Sequence, residues 1–229
     1  MTEFRRYAIY YAPLPGDLAS ATAQWLGWDG QSGQARTHPD LPGLPLPIAS
    51  LTAAPRKYGF HGTIKAPFRL APGVTEAQLQ DRLTRLAAQL PAVELPGLVL
   101  QKLKGFLALV PDGDDIDLLA LGAEVVSHLD DLRAPLTDAE MARRKPDRLT
   151  ARQRALLSSW GYPYVMEEFR FHLTLTDDLP DAVADAVMPI LGAWLAPALP
   201  RPFRLADLCL FAEDMTGRFH LRSRHTLAG

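Results

Sequence analysis

Two short strings in this sequence share the pattern His-x-Thr-hydrophobic, and their residue types suit acid–base chemistry on an anion. The first tetrad is residues 61–64 (HGTI) and the second is residues 172–175 (HLTL). An imidazole titrates near neutral pH, so two histidines together can provide a neutral base and a protonated acid. The repetition predicts one site assembled from two similar halves.

Strand geometry places each histidine on the same face as the threonine that follows it two residues later. Residues 169–175 alternate strictly, with apolar side chains at odd positions and polar side chains at even positions, Arg170 among them. By the same parity, Lys65 is expected to extend the polar face of the first tetrad. Two such cationic rows facing each other would form a receptor for an anion. The predicted catalytic residues are His61, Thr63, His172 and Thr174.

The elements that must position these residues alternate along the chain. Strands are predicted at about 6–12, 58–70, 98–110 with a break near Gly105, 169–175, 203–212 and 218–226. Helices are predicted at about 18–26, 75–90, 118–129 and 180–195, with capping-box spacing at Thr75, Thr137 and Thr150. Each half therefore contains strands and helices in similar order around a tetrad, which predicts an α+β fold with approximate two-fold symmetry.

Two segments are expected to lie outside this regular pattern. Residues 30–55 are rich in Gly and Pro and predict an irregular surface loop. Residues 135–161 are rich in charged helix formers and predict a helical hairpin, split at Pro146, that inserts or connects within a single domain spanning residues 1–229. Its basic cluster, residues 143–145, is interpreted as a solvated helix face, with substrate contact as the alternative.

Composition excludes several classes of protein. The 229 residues carry a formal net charge of −2, whereas binding a long nucleic acid usually requires a basic surface. The single cysteine, Cys209, excludes an intrachain disulfide and a cysteine-cluster zinc site. We find no apolar run of membrane-spanning length and no hydrophobic signal region after the N-terminus, so the expected compartment is the cytoplasm.

The paired tetrads resemble those of the 2H phosphoesterase superfamily, which includes LigT-type enzymes and 2',3'-cyclic phosphodiesterases. Three stretches, residues 6–13, 58–68 and 169–176, look like the branch associated with bacterial phosphonate-metabolism operons. Gly62 stands where that branch is expected to have Ala, and Asp177 stands where it is expected to have Gly. The resemblance implies a bilobal fold with two antiparallel sheets, flanking helices and a central cleft.

The resemblance also implies an activity: hydrolysis of a small cyclic phosphodiester by two histidines acting as acid and base, with no cofactor. The sequence has no H-x-x-x-H, H-x-H or cysteine pair, so no metal site is predicted. The threonine hydroxyls are positioned to donate to phosphate oxygens. Strand parity adds four candidate substrate-binding residues: Lys65, Arg170, Tyr10 and Arg6.

Three functions stay open at this point. A ribosyl cyclic phosphate from phosphonate degradation is the expected substrate, while an RNA-processing enzyme would use the same four residues on a terminal 2',3'-cyclic phosphate. Alternatively, the protein is a non-catalytic module that holds a phosphorylated ligand. The expected partner is a small phosphorylated molecule rather than a long nucleic acid or a membrane; protein partners, and which histidine is the acid, are left open.

Overall fold

A computed structural model describes residues 4–229, so the first three residues of the predicted domain lie outside the described part. The strands are β1 (Phe4–Tyr11), β2 (Trp28–Asp29), β3 (Gln34–Ala35), β4 (Gly62–Phe68), β5 (Val93–Leu95), β6 (Leu98–Leu103), β7 (Phe106–Pro111), β8 (Leu173–Thr174), β9 (Phe203–Leu205), β10 (Asp207–Asp214) and β11 (Phe219–Thr226). The α-helices are α1 (Asp17–Leu26), α2 (Ile48–Leu51), α3 (Glu76–Ala87), α4 (Ile116–His128), α5 (Asp138–Arg143), α6 (Ala151–Trp160) and α7 (Asp181–Leu195).

A seven-stranded antiparallel sheet, in the order β11-β10-β1-β4-β8-β7-β6, forms the centre of the molecule. The predicted α+β class is confirmed. The two expected sheets are present as two halves, β11-β10-β1-β4 and β8-β7-β6. They are continuous because Gly62 of β4 pairs with Leu173 of β8. Two further two-stranded sheets, β2-β3 and β5-β9, complete the strands.

The second tetrad strand is shorter than predicted. The alternating burial of residues 169–175 is as expected, with odd positions buried and even positions partly or fully exposed. A strand also needs ladder pairing with a neighbouring strand, and within residues 169–175 only Leu173 and Thr174 are paired in this way. Periodicity therefore identifies which side chains face the core, whereas pairing decides where the strand begins.

The helix starts follow the predicted capping chemistry. At Thr75, Thr137 and Thr150 the threonine hydroxyl accepts a hydrogen bond from the backbone N–H three residues later, and the side chain at that later position bonds back to the cap. Residues 135–161 contain α5 and α6, separated by a short 3-10 turn that begins at Pro146. Residues 30–55 are mostly irregular, although they contain β3 and the single helical turn α2.

Helix α7 and the turn after it form one segment, Asp181–Ala198, that is long and apolar enough by length and composition to cross a bilayer, with a mean hydropathy of 1.2. No apolar run of that length was expected from the sequence. One side of the helix is buried in the main core. Its buried side chains recur every three to four residues, which is the spacing of a helix that packs by one face. These buried residues are Ala184, Val187, Leu191 and Leu195.

The two halves of the sheet meet at Gly62. The structure leaves no space for a side chain at this position. A Cβ atom at this position would lie 2.5 Å from the ring of Phe171, which is 2% exposed. The ring thus occupies the space that an alanine methyl would need. This contact explains why this chain has Gly at position 62 instead of the expected Ala.

We therefore predict that Gly62→Ala destabilises the protein by about 1–3 kcal/mol, the usual cost of overpacking a core. Chemical denaturation measures this change. Gly192→Ala is the matched control, because a Cβ there would meet Leu100 at an ordinary 3.6 Å inside a helix. The control should keep or slightly raise stability, and a Gly62→Ala protein as stable as the wild type would contradict the packing described here.

Candidate active site

The two tetrads meet at the centre of the sheet. The second residue of each tetrad sets the register, because Gly62 of the first pairs with Leu173 of the second. The strands are antiparallel, so one step to either side places each histidine opposite the threonine of the other tetrad. Strand periodicity puts all four side chains on one face. The facing pairs are Thr63 with His172 and His61 with Thr174.

Both histidines are held by the same type of hydrogen bond. His61 Nδ1 lies 2.9 Å from the carbonyl oxygen of Gly59, and His172 Nδ1 lies 2.8 Å from the carbonyl oxygen of Arg170. A carbonyl oxygen can only accept, so we infer that Nδ1 carries the proton in each ring. Each neutral ring then has Nε2 available to accept a proton.

Aromatic side chains surround the first histidine. The His61 ring lies 4.0 Å from the ring of Tyr10, tilted by 31°, and 5.6 Å from the ring of Tyr58. Burial lowers the pKa of His61 to about 4, and the charge of nearby His172 acts in the same direction, against the hydrogen bond to Gly59. His61 is therefore neutral at physiological pH.

A cavity of about 350 Å³ opens on this face, within the range of roughly 300–1,000 Å³ typical of small-molecule sites. We call it the histidine cavity; its lining includes Tyr10, Tyr58, His61, Thr63, Arg144 and Thr174. His172 is not part of this lining. Its ring lies beside one wall residue, Phe106, at a centroid distance of 5.7 Å.

Two of the candidate substrate-binding residues lie away from the histidine cavity. The register of β1 against β4 shifts between Thr63 and Lys65, so the expected row of polar side chains is interrupted there. Lys65 Nζ instead donates to the carbonyl oxygen of Val126 and pairs with Asp130 at 3.3 Å. Arg170 is exposed, and its guanidinium donates to backbone carbonyls of residues 167 and 169.

The other two candidates lie on β1, on the face predicted by parity. Tyr10 lines the histidine cavity and is 1% exposed. Arg6 forms a bidentate pair with Glu213, at 2.5 and 2.7 Å, and lines a neighbouring cavity. Tyr7 and Ile9 point to the opposite, core-facing side. The alternation of β1 is thus a reliable guide to these positions.

Sequence reasoning missed part of the cavity wall. The interpretation of residues 143–145 as a solvated face is wrong for Arg144, which follows the last residue of α5 and lies 4.8 Å over the ring of Tyr162. Both residues line the histidine cavity. Tyr58 has a local signal, since it stands three residues before the first tetrad, but nothing in the sequence places Tyr162 near either histidine.

The second departure from the expected branch also has a structural role. The carboxylate of Asp177 accepts a hydrogen bond from the backbone N–H of Ala54 at 2.7 Å, and its own N–H donates to the carbonyl oxygen of Leu51. These bonds fix the chain just before the 3-10 turn Pro55–Tyr58, which carries Tyr58 to the histidine cavity. A glycine could not make the first of them.

Within residues 4–229, no group of three or more His, Cys, Asp or Glu side chains is arranged to hold a metal ion. The chemistry that the site residues themselves support is proton transfer at Nε2 of His61 and His172, together with hydrogen-bond donation from two threonine hydroxyls.

Comparison with known proteins assigns a family. The family described as a protein of unknown function (DUF1045) matches residues 63–220, which include both tetrads apart from His61 and Gly62. The chain belongs to the DUF1045 family. The family's description carries no activity, so the argument for function depends on the site.

Two curated proteins similar to this DUF1045 chain carry a kinase name. The chain is 42% identical over 218 residues to ribose 1,5-bisphosphate phosphokinase PhnN of Janthinobacterium sp. (strain Marseille), covering 93% of this chain and 48% of that protein. It is 35% identical to the protein of the same name from Laribacter hongkongensis (strain HLHK9), covering 93% and 49%. This chain spans about half the length of these curated relatives.

Solved structures similar to the DUF1045 chain include E. coli LigT. E. coli LigT complexed with NADP+ is 16% identical, with a TM-score of 0.49 and full coverage of both chains. E. coli LigT complexed with 3'-AMP is 16% identical, with a TM-score of 0.46, and covers 99% of this chain.

The environment of His61 leads to a titration prediction. Following the imidazole signals by NMR, we expect His61 to keep its neutral form until the pH falls to about 4. Inorganic phosphate should raise this pKa, because an anion beside the ring stabilises its protonated form. His61→Gln assigns the signal by removing it. A free-protein pKa at or above the ordinary value of 6.5 would contradict the buried environment described for this ring.

Proposed function

We propose that this chain hydrolyses a small cyclic phosphodiester by acid–base catalysis with His61 and His172. The carrying observation is the pairing of Gly62 with Leu173, which sets the two tetrads in antiparallel register on one face. A pure binding site would not need two imidazoles with free Nε2 atoms. Hydrolysis of a cyclic phosphodiester does need two such groups, one on each side of phosphorus.

In the proposed reaction, His61 acts as the general base, because its pKa is lowered and it is neutral at physiological pH. Its Nε2 takes a proton from water as the water oxygen bonds to phosphorus. The ring P–O bond opposite breaks, and protonated His172 gives its Nε2 proton to the leaving alkoxide. The products are a phosphate monoester and a free hydroxyl, and proton return between the histidines restores the enzyme.

The threonines are proposed to stabilise charge on the non-bridging phosphate oxygens. Thr63 and Thr174 each lie opposite the histidine of the other tetrad and line the histidine cavity. A hydroxyl donor placed where charge develops is worth about a hundred- to a thousandfold in rate in comparable sites. The mechanism uses no cofactor and no metal, which EDTA in the assay tests directly.

For the substrate we propose a ribosyl 1,2-cyclic phosphate formed in phosphonate degradation, acted on in the cytoplasm. The relatives that align over 93% of this chain are named for ribose 1,5-bisphosphate. Opening of a 1,2-cyclic phosphate on ribose at the 2-oxygen would leave a ribose 1-phosphate. The reaction would therefore yield the type of ribosyl phosphate that appears in those names.

The experiment is phosphorus NMR of the protein with EDTA, offered ribose 1,2-cyclic phosphate and 2',3'-cyclic nucleotides in parallel. We expect turnover of the ribose substrate. His61→Ala and His172→Ala should each lower kcat about a hundred- to ten-thousandfold, because each removes one proton-transfer group. Thr63→Val and Thr174→Val should lower it about a hundred- to a thousandfold.

His128→Ala and Thr226→Val are the matched controls, since both residues are exposed and lie outside the cavity. Preferred turnover of 2',3'-cyclic nucleotides would favour RNA end processing, and saturable binding without product would favour a binding module. The pH dependence separates the two roles: if His61 is the base, the acidic limb of the kcat/KM profile falls as the pH drops toward 4. A rate that rises over that interval would make it the acid.

A further inference from the structure

The hydroxyl of Tyr10 is a polar group at the histidine cavity that proton transfer by the histidines does not account for. Tyr10 lies on β1 and is paired with Thr63 of β4. Residues directly opposite each other on neighbouring strands have their side chains on the same face of the sheet. The phenol therefore stands on the face that carries both tetrads, and it lines the histidine cavity.

Aromatic neighbours hold the ring of Tyr10 in place. It lies 4.0 Å from the ring of His61, 5.3 Å from that of Phe211 and 5.9 Å from that of Phe219. Tyr10 and the two phenylalanines belong to one small core, whose other members are Ala8, Ala12 and Cys209. A phenylalanine at position 10 would pack in this core equally well. Packing alone therefore does not explain the hydroxyl.

The Tyr10 hydroxyl has no hydrogen-bond partner among residues 4–229, although the residue is only 1% exposed. On the same strand, by contrast, the hydroxyl of Tyr7 donates to Glu76 at 3.1 Å. Arg6 is engaged by the carboxylate of Glu213 through two hydrogen bonds. Buried tyrosine hydroxyls usually have a partner, and leaving one without a partner costs stability. The histidine cavity is the side from which a partner can reach this hydroxyl.

The surroundings of Tyr10 keep its proton in place. Burial raises the pKa of Tyr10 well above its ordinary value of 10; Tyr58 acts in the same direction and Arg6 acts against it. The phenol therefore stays neutral over the whole pH range in which an imidazole titrates. A neutral phenol can donate one hydrogen bond and accept another at the same time.

The stacked rings of Tyr10 and His61 bring their polar atoms to the same part of the cavity. In the proposed reaction the attacking water gives one of its hydrogens to Nε2 of His61. Its second hydrogen needs an acceptor, and the developing charge on the phosphate oxygens needs donors. A neutral phenol beside the base meets both needs, whereas the two threonines can contact only the phosphate.

We propose that Tyr10 is a further catalytic residue, whose hydroxyl accepts a hydrogen bond from the attacking water and donates one to a non-bridging phosphate oxygen. This inference rests on the proposed function. The water is thereby oriented with its oxygen towards phosphorus while His61 takes its proton. No proton moves to or from the phenol, so Tyr10 is unchanged at the end of each turnover.

The test is Tyr10→Phe, with Tyr11→Phe as the matched control. Tyr11 is the next residue of β1, faces the main core and is not part of the lining of the histidine cavity. With ribose 1,2-cyclic phosphate and EDTA, we expect Tyr10→Phe to lower kcat/KM about ten- to a hundredfold, mainly through kcat. This is the loss expected for one hydrogen bond to a charged group. Tyr11→Phe should retain the wild-type value.

Stability separates this role from a role in packing. Tyr10→Phe keeps the ring and removes an oxygen without a protein partner, so its thermal unfolding temperature should equal or exceed that of the wild type. The pKa of His61, followed by NMR, should stay near 4. Wild-type kcat/KM in Tyr10→Phe overturns the proposal. A loss of activity together with a lower unfolding temperature, or with a His61 pKa near 6.5, also overturns it, because the hydroxyl would then support the fold.

Failure of the proposed function is separately visible. If the wild type turns over no cyclic phosphate, calorimetric titration with inorganic phosphate decides whether the Tyr10 hydroxyl contacts a phosphate. We then expect the affinity to fall about tenfold in Tyr10→Phe and to stay constant in Tyr11→Phe. No binding by the wild type, or equal binding by Tyr10→Phe, overturns the contact.

Discussion

A single antiparallel pair, Gly62 with Leu173, holds the two halves of the sheet together and sets the geometry on which the site depends. Because side chains alternate, a slip of one residue would turn the histidine and threonine of one tetrad to the other face. The packing of Phe171 against Gly62 opposes such a slip. The steric constraint at one glycine therefore fixes the relative positions of the two histidines.

His61 and the residues of a neighbouring cavity differ in charge. Around His61, aromatic rings exclude water and hold the imidazole neutral, so that it can accept a proton. The neighbouring cavity, of about 140 Å³, is lined by cationic side chains that include Arg6, Lys65 and Arg133, and each of these three pairs with a carboxylate. Arg144 lies in the wall common to both cavities.

Much of this arrangement could be predicted from the sequence, because it depends on local rules. The capping boxes at Thr75, Thr137 and Thr150 and the alternation of residues 169–175 are fixed by neighbours a few residues apart. The α+β class followed from the order of those elements. Lys65 shows where strand alternation fails as a guide to side-chain direction. One extra residue in β4 interrupts the alternation between Thr63 and Lys65, and this irregularity is visible only in the pairing of β4 with β1.

Tertiary contacts account for the rest. Arg144 and Tyr162 reach the histidine cavity because the segment 135–161 folds against the face that carries the tetrads, and no periodicity in the sequence encodes that contact. The cluster of cations in the neighbouring cavity is likewise invisible in a chain with a net charge of −2, because its members are far apart in the sequence, from Arg6 to Arg144.

The central claim is that His61 and His172 act on opposite sides of one phosphorus atom. A crystal structure of the protein with a ribose–vanadate complex, which adopts five-coordinate geometry, tests it most directly. The account predicts vanadium in the histidine cavity, with Nε2 of the two histidines each bonded to a different apical oxygen and both threonine hydroxyls on equatorial oxygens. Vanadate bound elsewhere, or contacted by only one histidine, would contradict it.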